Sequence, residues 1–184
     1  NALNKYKKLT LADNLHYVYK VGKEAFKDTP LNNNSRSGEF NIGSSCSNMT
    51  EAAGEIGDYA FQNTSPKRVS IGNYIQTIGE GAFDGCSSMG VLVIGDNVNN
   101  IKRSAFSGCT GLTHIYLGKS LRFGINFSQV FDAQMNLDKI SIPDENTNYS
   151  DEGNCLVDIA NNLWIGTNSS AIPNRVTAIR DYAF

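Results

Sequence analysis

Apolar residues recur along this chain in one fixed phase. Counting from Phe83 they fall six, nine and eleven positions on, at Met89, Leu92 and Ile94; from Phe106, at Leu112, Ile115 and Leu117; from Phe131, at Leu137, Ile140 and Ile142. The alternation in the last pair predicts a short strand with one buried face. Four residues past it comes a further apolar position (Val98, Leu121, Val176), and three past that a recurring phrase begins. The phrase is an aliphatic residue, usually Gly, two variable residues and Ala-Phe: Val21 to Phe26, Ile56 to Phe61, Ile78 to Phe83, Ile101 to Phe106 and Ile179 to Phe184. Phe61, Phe83 and Phe106 are 22 and 23 residues apart. Self-similarity at that period marks a solenoid, whose turns each bury a face against their neighbours. Each turn is predicted to hold one strand, a bend and a convex return, with Phe filling the coil and the small Ala letting backbones approach.

Departures from the period locate insertions. Phe26 to Phe61 spans 35 residues, and the surplus is polar, in Asn32 to Arg36 and Ser44 to Gly54, so a loop insertion at about 32–55 is expected. Phe131 to Phe184 spans 53 residues, with Asn, Asp and Ser dense between Asp144 and Gly153. Apolar runs follow at Asn154 to Asp158 and Asn162 to Gly166, so about 144–171 reads as a hairpin-like excursion that rejoins the stack at Ile172. The turn at Phe131 replaces Ile-Gly by Gly124-Ile125 and Ala by Val130, yet keeps phase.

The segments Ile78 to Met89 and Ile101 to Leu112 follow the pattern Ile-Gly-x-x-Ala-Phe-x-x-Cys-x-x-Leu and resemble the BspA-type leucine-rich repeat family. The resemblance covers most of the chain. It implies a β-rich, right-handed leucine-rich repeat coil, here of about seven turns, with a parallel β-sheet on one face and irregular or short helical returns on the other. Members are typically exported or cell-surface proteins, and those with known roles mostly bind host proteins or other cells. An extracellular or cell-surface setting is therefore expected.

The 184 residues suit one elongated repeat domain, residues 1–184. A chain that begins at Asn1 rather than Met, and whose last phrase falls mid-repeat at Phe184, reads as a piece of a longer protein. An open C-terminal edge would invite self-association. A net charge of −2 without clustered Lys or Arg gives no footprint for nucleic acid. No apolar run reaches the roughly 20 residues that cross a bilayer.

Candidate chemistry is sparse. His16 and His114 lack a placed partner for nucleophilic work, so no enzyme activity and no cofactor are expected. Cys86 and Cys109 lie three residues after the repeat Phe, a phase taken elsewhere by Thr29, Thr64 and Gln134. They read either as small interior residues or as a disulfide between stacked turns; tolerance of Thr and Gln favours free, buried thiols. Cys46 and Cys155 stand far apart in solenoid order. Asp144, Asn146 and Asn148 alternate as calcium ligands would, but Tyr149 replaces the turn Gly and Cys155 the closing Glu, which favours a solvated polar loop.

The outward strand positions remain. Arg68 and Ser70, Val91 and Val93, His114 and Tyr116, and Lys139 and Ser141 should form a ladder across one face. Arg68, Val91, Val93, His114, Tyr116 and Lys139 are the candidate ligand-binding residues, because an apolar and aromatic patch with a polar rim suits a protein interface. β-branched and aromatic residues also simply suit strands, which is the competing explanation. Trp164 is a second candidate anchor, set against a role in packing its own excursion. The function expected is a non-catalytic protein-interaction or adhesion module whose partner is a protein, such as a host extracellular or cell-surface protein. The alternative is a structural spacer or carbohydrate-binding repeat region supporting another domain.

Overall fold

The computed structural model describes residues 14–29, 31, 39–45, 53–122, 125–131 and 136–184. Among the described residues the strands run, in chain order, β1 (Asn14–Leu15), β2 (Lys20–Val21), β3 (Glu39–Ile42), β4 (Gly54–Ile56), β5 (Arg68–Ile71), β6 (Ile75–Ile78), β7 (Val91–Ile94), β8 (Asn100–Ile101), β9 (His114–Tyr116), β10 (Lys139–Ser141), β11 (Tyr149–Ser150), β12 (Leu156–Asp158), β13 (Asn162–Ile165) and β14 (Ala178–Ile179). One four-residue helix, α1 (Phe127–Val130), takes up the return before Phe131. Strands β1-β3-β5-β7-β9-β10 form a parallel front sheet, and β2-β4-β6-β8 a parallel side sheet. Mostly parallel strands stacked at the sequence period are what a repeat solenoid would build.

The side sheet corrects the sequence reading, which gave each turn one strand. The Ile of the repeated phrase closes a second strand: Ile56, Ile78 and Ile101 pair in register, and all are buried. The stretch at 32–55 also holds more than loop, since β3 contributes buried Phe40 and Ile42 to the front sheet and β4 begins at Gly54.

The core is a column. Phe26, Phe61, Phe83, Phe106 and Phe131 stack with ring centroids 5.1–5.4 Å apart and planes within 13°. Leu92, Ile94, Ile115 and Ile140 from the front sheet and Ile75, Ile78 and Ile101 from the side sheet close around it, all buried. Each such side chain contributes about 1.5–3 kcal/mol by leaving water. The Phe131 turn keeps phase, as its bridge to Phe106 shows.

The returns are chains of overlapping turns. Around Phe61, Ala60 N–H donates to Gly57 O, Gln62 to Tyr59 O and Thr64 to Phe61 O, each at 3.2 Å. Two residues per return take the left-handed conformation, two before and two after the Phe: Glu24 and Asp28, Tyr59 and Asn63, Gly81 and Gly85, Ser104 and Gly108. Gly and Asn occupy such positions cheaply, whereas Glu and Tyr do so at a cost. Alternate N–H groups then bond to the next turn: Tyr59 to Glu80 O, Phe61 to Ala82 O and Asn63 to Asp84 O at 2.7–2.8 Å. Backbones approach closely enough that a Cβ on Gly79 would stand 2.6 Å from the nitrogen of Asp58, which accounts for Gly after the phrase's Ile.

The excursion is a hairpin, β12 antiparallel to β13, with β11 on its outer side. β13 is joined in parallel by β14, aligning Leu163 with Ile179, while Ile172 is half exposed. Where the polar stretch meets the core, Asn146 is buried and its side chain is consumed. Its Nδ2 donates to Lys119 O and Leu121 O, and its Oδ1 accepts from Asn148 and Tyr149 N–H. That is the work of a clamp on the preceding turn.

Candidate protein-binding face

The outward residues of the front sheet align in two rows. Strand register places Glu39, Arg68, Val91, His114 and Lys139 side by side in one, and Asn41, Ser70, Val93, Tyr116 and Ser141 in the other. Their neighbours along each strand, Val69, Leu92, Ile115 and Ile140, face the core, so the two-residue period leaves the rows on the surface. Lys139 is exposed and the others are half-buried, as expected of side chains standing in a ladder about 4.8 Å apart. All eight sequence-predicted ladder residues, the six candidate ligand-binding ones among them, thus share one face.

Contacts along the rows hold several of these side chains. The Arg68 guanidinium lies 3.3 Å from the Glu39 carboxylate. The Lys139 ammonium sits over the Tyr116 ring, 5.8 Å from its centroid, and the His114 ring lies within 22° of parallel to Tyr116. The His114 Nδ1 is 2.9 Å from the Thr113 hydroxyl. Glu39 and Asn41, which complete the rows on β3, were missed from sequence because they sit inside a stretch read as insertion; their alternation with Phe40 and Ile42 was the available signal.

Trp164 is elsewhere and is not an exposed anchor. Its indole is buried, edge-on to Phe127, and its Nε1–H donates to Asp158 Oδ2 at 2.8 Å. The Arg180 guanidinium covers its outer side at 4.8 Å. Asp158 is itself 1% exposed. Burial raises its pKa, but hydrogen bonds from the Asn162 side chain and N–H, from Trp164 and from Ala160 N–H outweigh that and hold it below the usual carboxylate range. Trp164 therefore packs its own hairpin.

The edge of the front sheet at β10 is closed by side chains. Ile140 N–H donates to Asn154 Oδ1 and Ile142 N–H to Asp151 Oδ2, each at 3.2 Å. A further strand cannot add where those donors are taken.

Cys86, Cys109 and Cys155 are free and buried; Cys46 lies outside the described residues. Cys86 Sγ donates to Phe61 O and Cys109 Sγ to Phe83 O, so each thiol serves a carbonyl of the preceding turn. Thr64 holds the same phase, but its hydroxyl donates to Phe61 O of its own turn. The hydrogen bond with Cys86, followed by burial, pushes the Cys109 thiol up, away from reactive thiolate. His16 meets the Ser44 hydroxyl just past the ends of β1 and β3. Among the described residues no group of three His, Cys, Asp or Glu is placed to hold a metal ion, and no helix is long and apolar enough to cross a membrane.

A family model for the BspA type leucine rich repeat region matches residues 54–184 in six copies. The chain belongs to this family. The BspA-type repeats thus account for the Phe column, the paired sheets and the thiol positions together. Among solved structures, that of the pneumococcal vaccine antigen PcpA is similar over 90% of this chain and 40% of its own, with 16% identity and a TM-score of 0.67. A leucine-rich repeat protein from Bacteroides capillosus is 25% identical over 59% of this chain and 79% of its own, with a TM-score of 0.47. Another from Eubacterium ventriosum is 19% identical over 80% of this chain and 44% of its own, also at 0.47. The likeness to PcpA is one of fold, and this chain spans less than half of that protein's. No curated protein matches the chain in sequence.

Proposed function

We propose that this chain is a non-catalytic protein-interaction or adhesion module, a right-handed coil of about seven turns within a secreted or cell-surface protein. The observation that carries the reading is the front face, where Val91, Val93, His114 and Tyr116 adjoin on two neighbouring strands within a polar rim. Rigid aromatics flanked by aliphatics in that setting are favoured at protein interfaces. Membership of the family supports the extracellular setting. A carbohydrate-binding face is less well supported, since stacking on a sugar needs an open ring face and the Lys139 ammonium lies over Tyr116. Catalysis is no better served: in the two rows the one carboxylate is Glu39, which is engaged by Arg68.

The test is binding to immobilised host extracellular-matrix and cell-surface proteins, measured by surface plasmon resonance. For a protein bound by wild type, Val93→Asp combined with Tyr116→Ala should weaken binding at least about tenfold, or about 1.4 kcal/mol, with an unchanged circular dichroism spectrum. Full binding by the folded double variant would remove the face from the reading. A second contact, between copies of the chain, is proposed at β14 and the last return, where Ile179, Tyr182 and Phe184 are each more than half exposed.

A further inference from the structure

We infer that the β7 to β10 half of the front face takes an extended segment of a partner protein in which a carboxylate stands two residues from an aliphatic or aromatic side chain. This rests on the protein-binding reading and names the partner's chemistry. Of the side chains in the two rows, Glu39, Arg68 and Lys139 carry formal charge. Glu39 and Arg68 neutralise each other at 3.3 Å, which leaves Lys139 as the uncancelled charge on the face. The neighbouring carboxylate, Asp138, is held toward the excursion by the Asn168 amide at 3.2 Å. A chain of net charge −2 thus presents a locally positive, apolar face, which attracts a carboxylate and repels Lys and Arg.

Geometry sets the spacing. The Lys139 ammonium leans over Tyr116, so the cation is drawn back from β10 toward β9. Strands about 4.8 Å apart put it one to two strand spacings, roughly 5–10 Å, from Val91 and Val93 on β7. In an extended segment, side chains two residues apart point the same way at about 6.8 Å, within that span. The segment therefore crosses the strands, its apolar side chain on the valines and its carboxylate on Lys139. Addition as an extra strand at β10 is blocked, because Asn154 and Asp151 occupy the Ile140 and Ile142 donors. Recognition is left to the side chains of the face.

Three capped heptapeptides with cores Leu-Ser-Glu, Leu-Ser-Gln and Leu-Ser-Lys, in identical Gly and Ser flanks, test this by NMR titration of the whole chain. The Glu peptide should bind about fivefold tighter than the Gln peptide, the scale of one partly screened ion pair. The Lys peptide should bind weakest, and shifts should centre on Val93 and Tyr116. Lys139→Glu, an exposed change, should invert the order. Equal binding of the three, a preference that survives Lys139→Glu, or no binding by any peptide would overturn the inference. Charge-blind binding centred on Tyr116 overturns it while leaving the protein-binding reading standing; that reading falls on its own test, the Val93 and Tyr116 double variant.

Discussion

Removing the Phe83 ring tests the column on which the stack is built. The side chain is 0% exposed and lies between Phe61, at 5.1 Å and 10°, and Phe106, at 5.4 Å and 7°. Losing the burial of such a ring costs about 1.5–3 kcal/mol. Two aromatic contacts add about 0.5–1.5 kcal/mol each. Partial collapse of the neighbours recovers some of that, so Phe83→Ala is expected to destabilise by about 3–5 kcal/mol, within the range for buried Phe. At this chain length that lowers the melting temperature by roughly 6–20 °C. Phe184→Ala is the internal control, because its ring is 63% exposed and should change stability by less than about 0.5 kcal/mol. Guanidinium denaturation followed by circular dichroism gives both midpoints and slopes. A shared column should also lower the slope of Phe83→Ala, as the turns on either side lose cooperativity. Equal midpoints for Phe83→Ala and Phe184→Ala would refute the phase assignment and the stacking energetics with it.

Three further outcomes are expected. The Asp158 carboxylate has a lowered pKa when folded, so its stabilisation is present above the unfolded value of about 3.9 and is lost as pH falls through the folded one. Emission from Trp164, the sole Trp, should reveal hairpin loosening below about pH 4, and Asp158→Asn should flatten that acid limb; identical pH profiles would count against it. Cys86, Cys109 and Cys155 should resist a thiol reagent in native protein and react after unfolding without reductant; their failure to react then would reveal disulfides. Sedimentation velocity at rising concentration should show self-association reduced by Ile179→Ser with Phe184→Ser, and an unaltered profile would dismiss the β14 contact.

The front-sheet rows were legible because a two-residue alternation, repeated in phase with Phe, fixes which residues face in. The side sheet was not. In β6 the residues between the buried isoleucines, Gln76 and Thr77, are polar, as is Asn100 before Ile101 in β8, and strands of two to four residues are held by stacking on their neighbours more than by any pattern of their own. Between the two roles open to Trp164 the sequence could not choose, because its partner Asp158 meets it only once the hairpin closes. The left-handed positions were half visible. Gly81, Gly85 and Gly108 announce them, while Glu24 and Tyr59 adopt the same backbone because adjacent turns dictate it.

The hydrogen bonding of the returns gives the stack an electrical direction. Within the return at Phe61, the peptide group joining Ala60 to Phe61 accepts from Phe26 through its carbonyl and donates to Ala82 through its N–H. The groups on either side, Asp58 to Tyr59 and Gln62 to Asn63, are oriented alike, as are their counterparts at Phe83. Strands in a parallel sheet alternate these directions and largely cancel, but here three files of peptide dipoles, about 3.5 D each, add head to tail from turn to turn. This flank of the protein is therefore polarised along the stacking axis, with its positive pole toward the later turns, by backbone geometry that no side-chain substitution would neutralise.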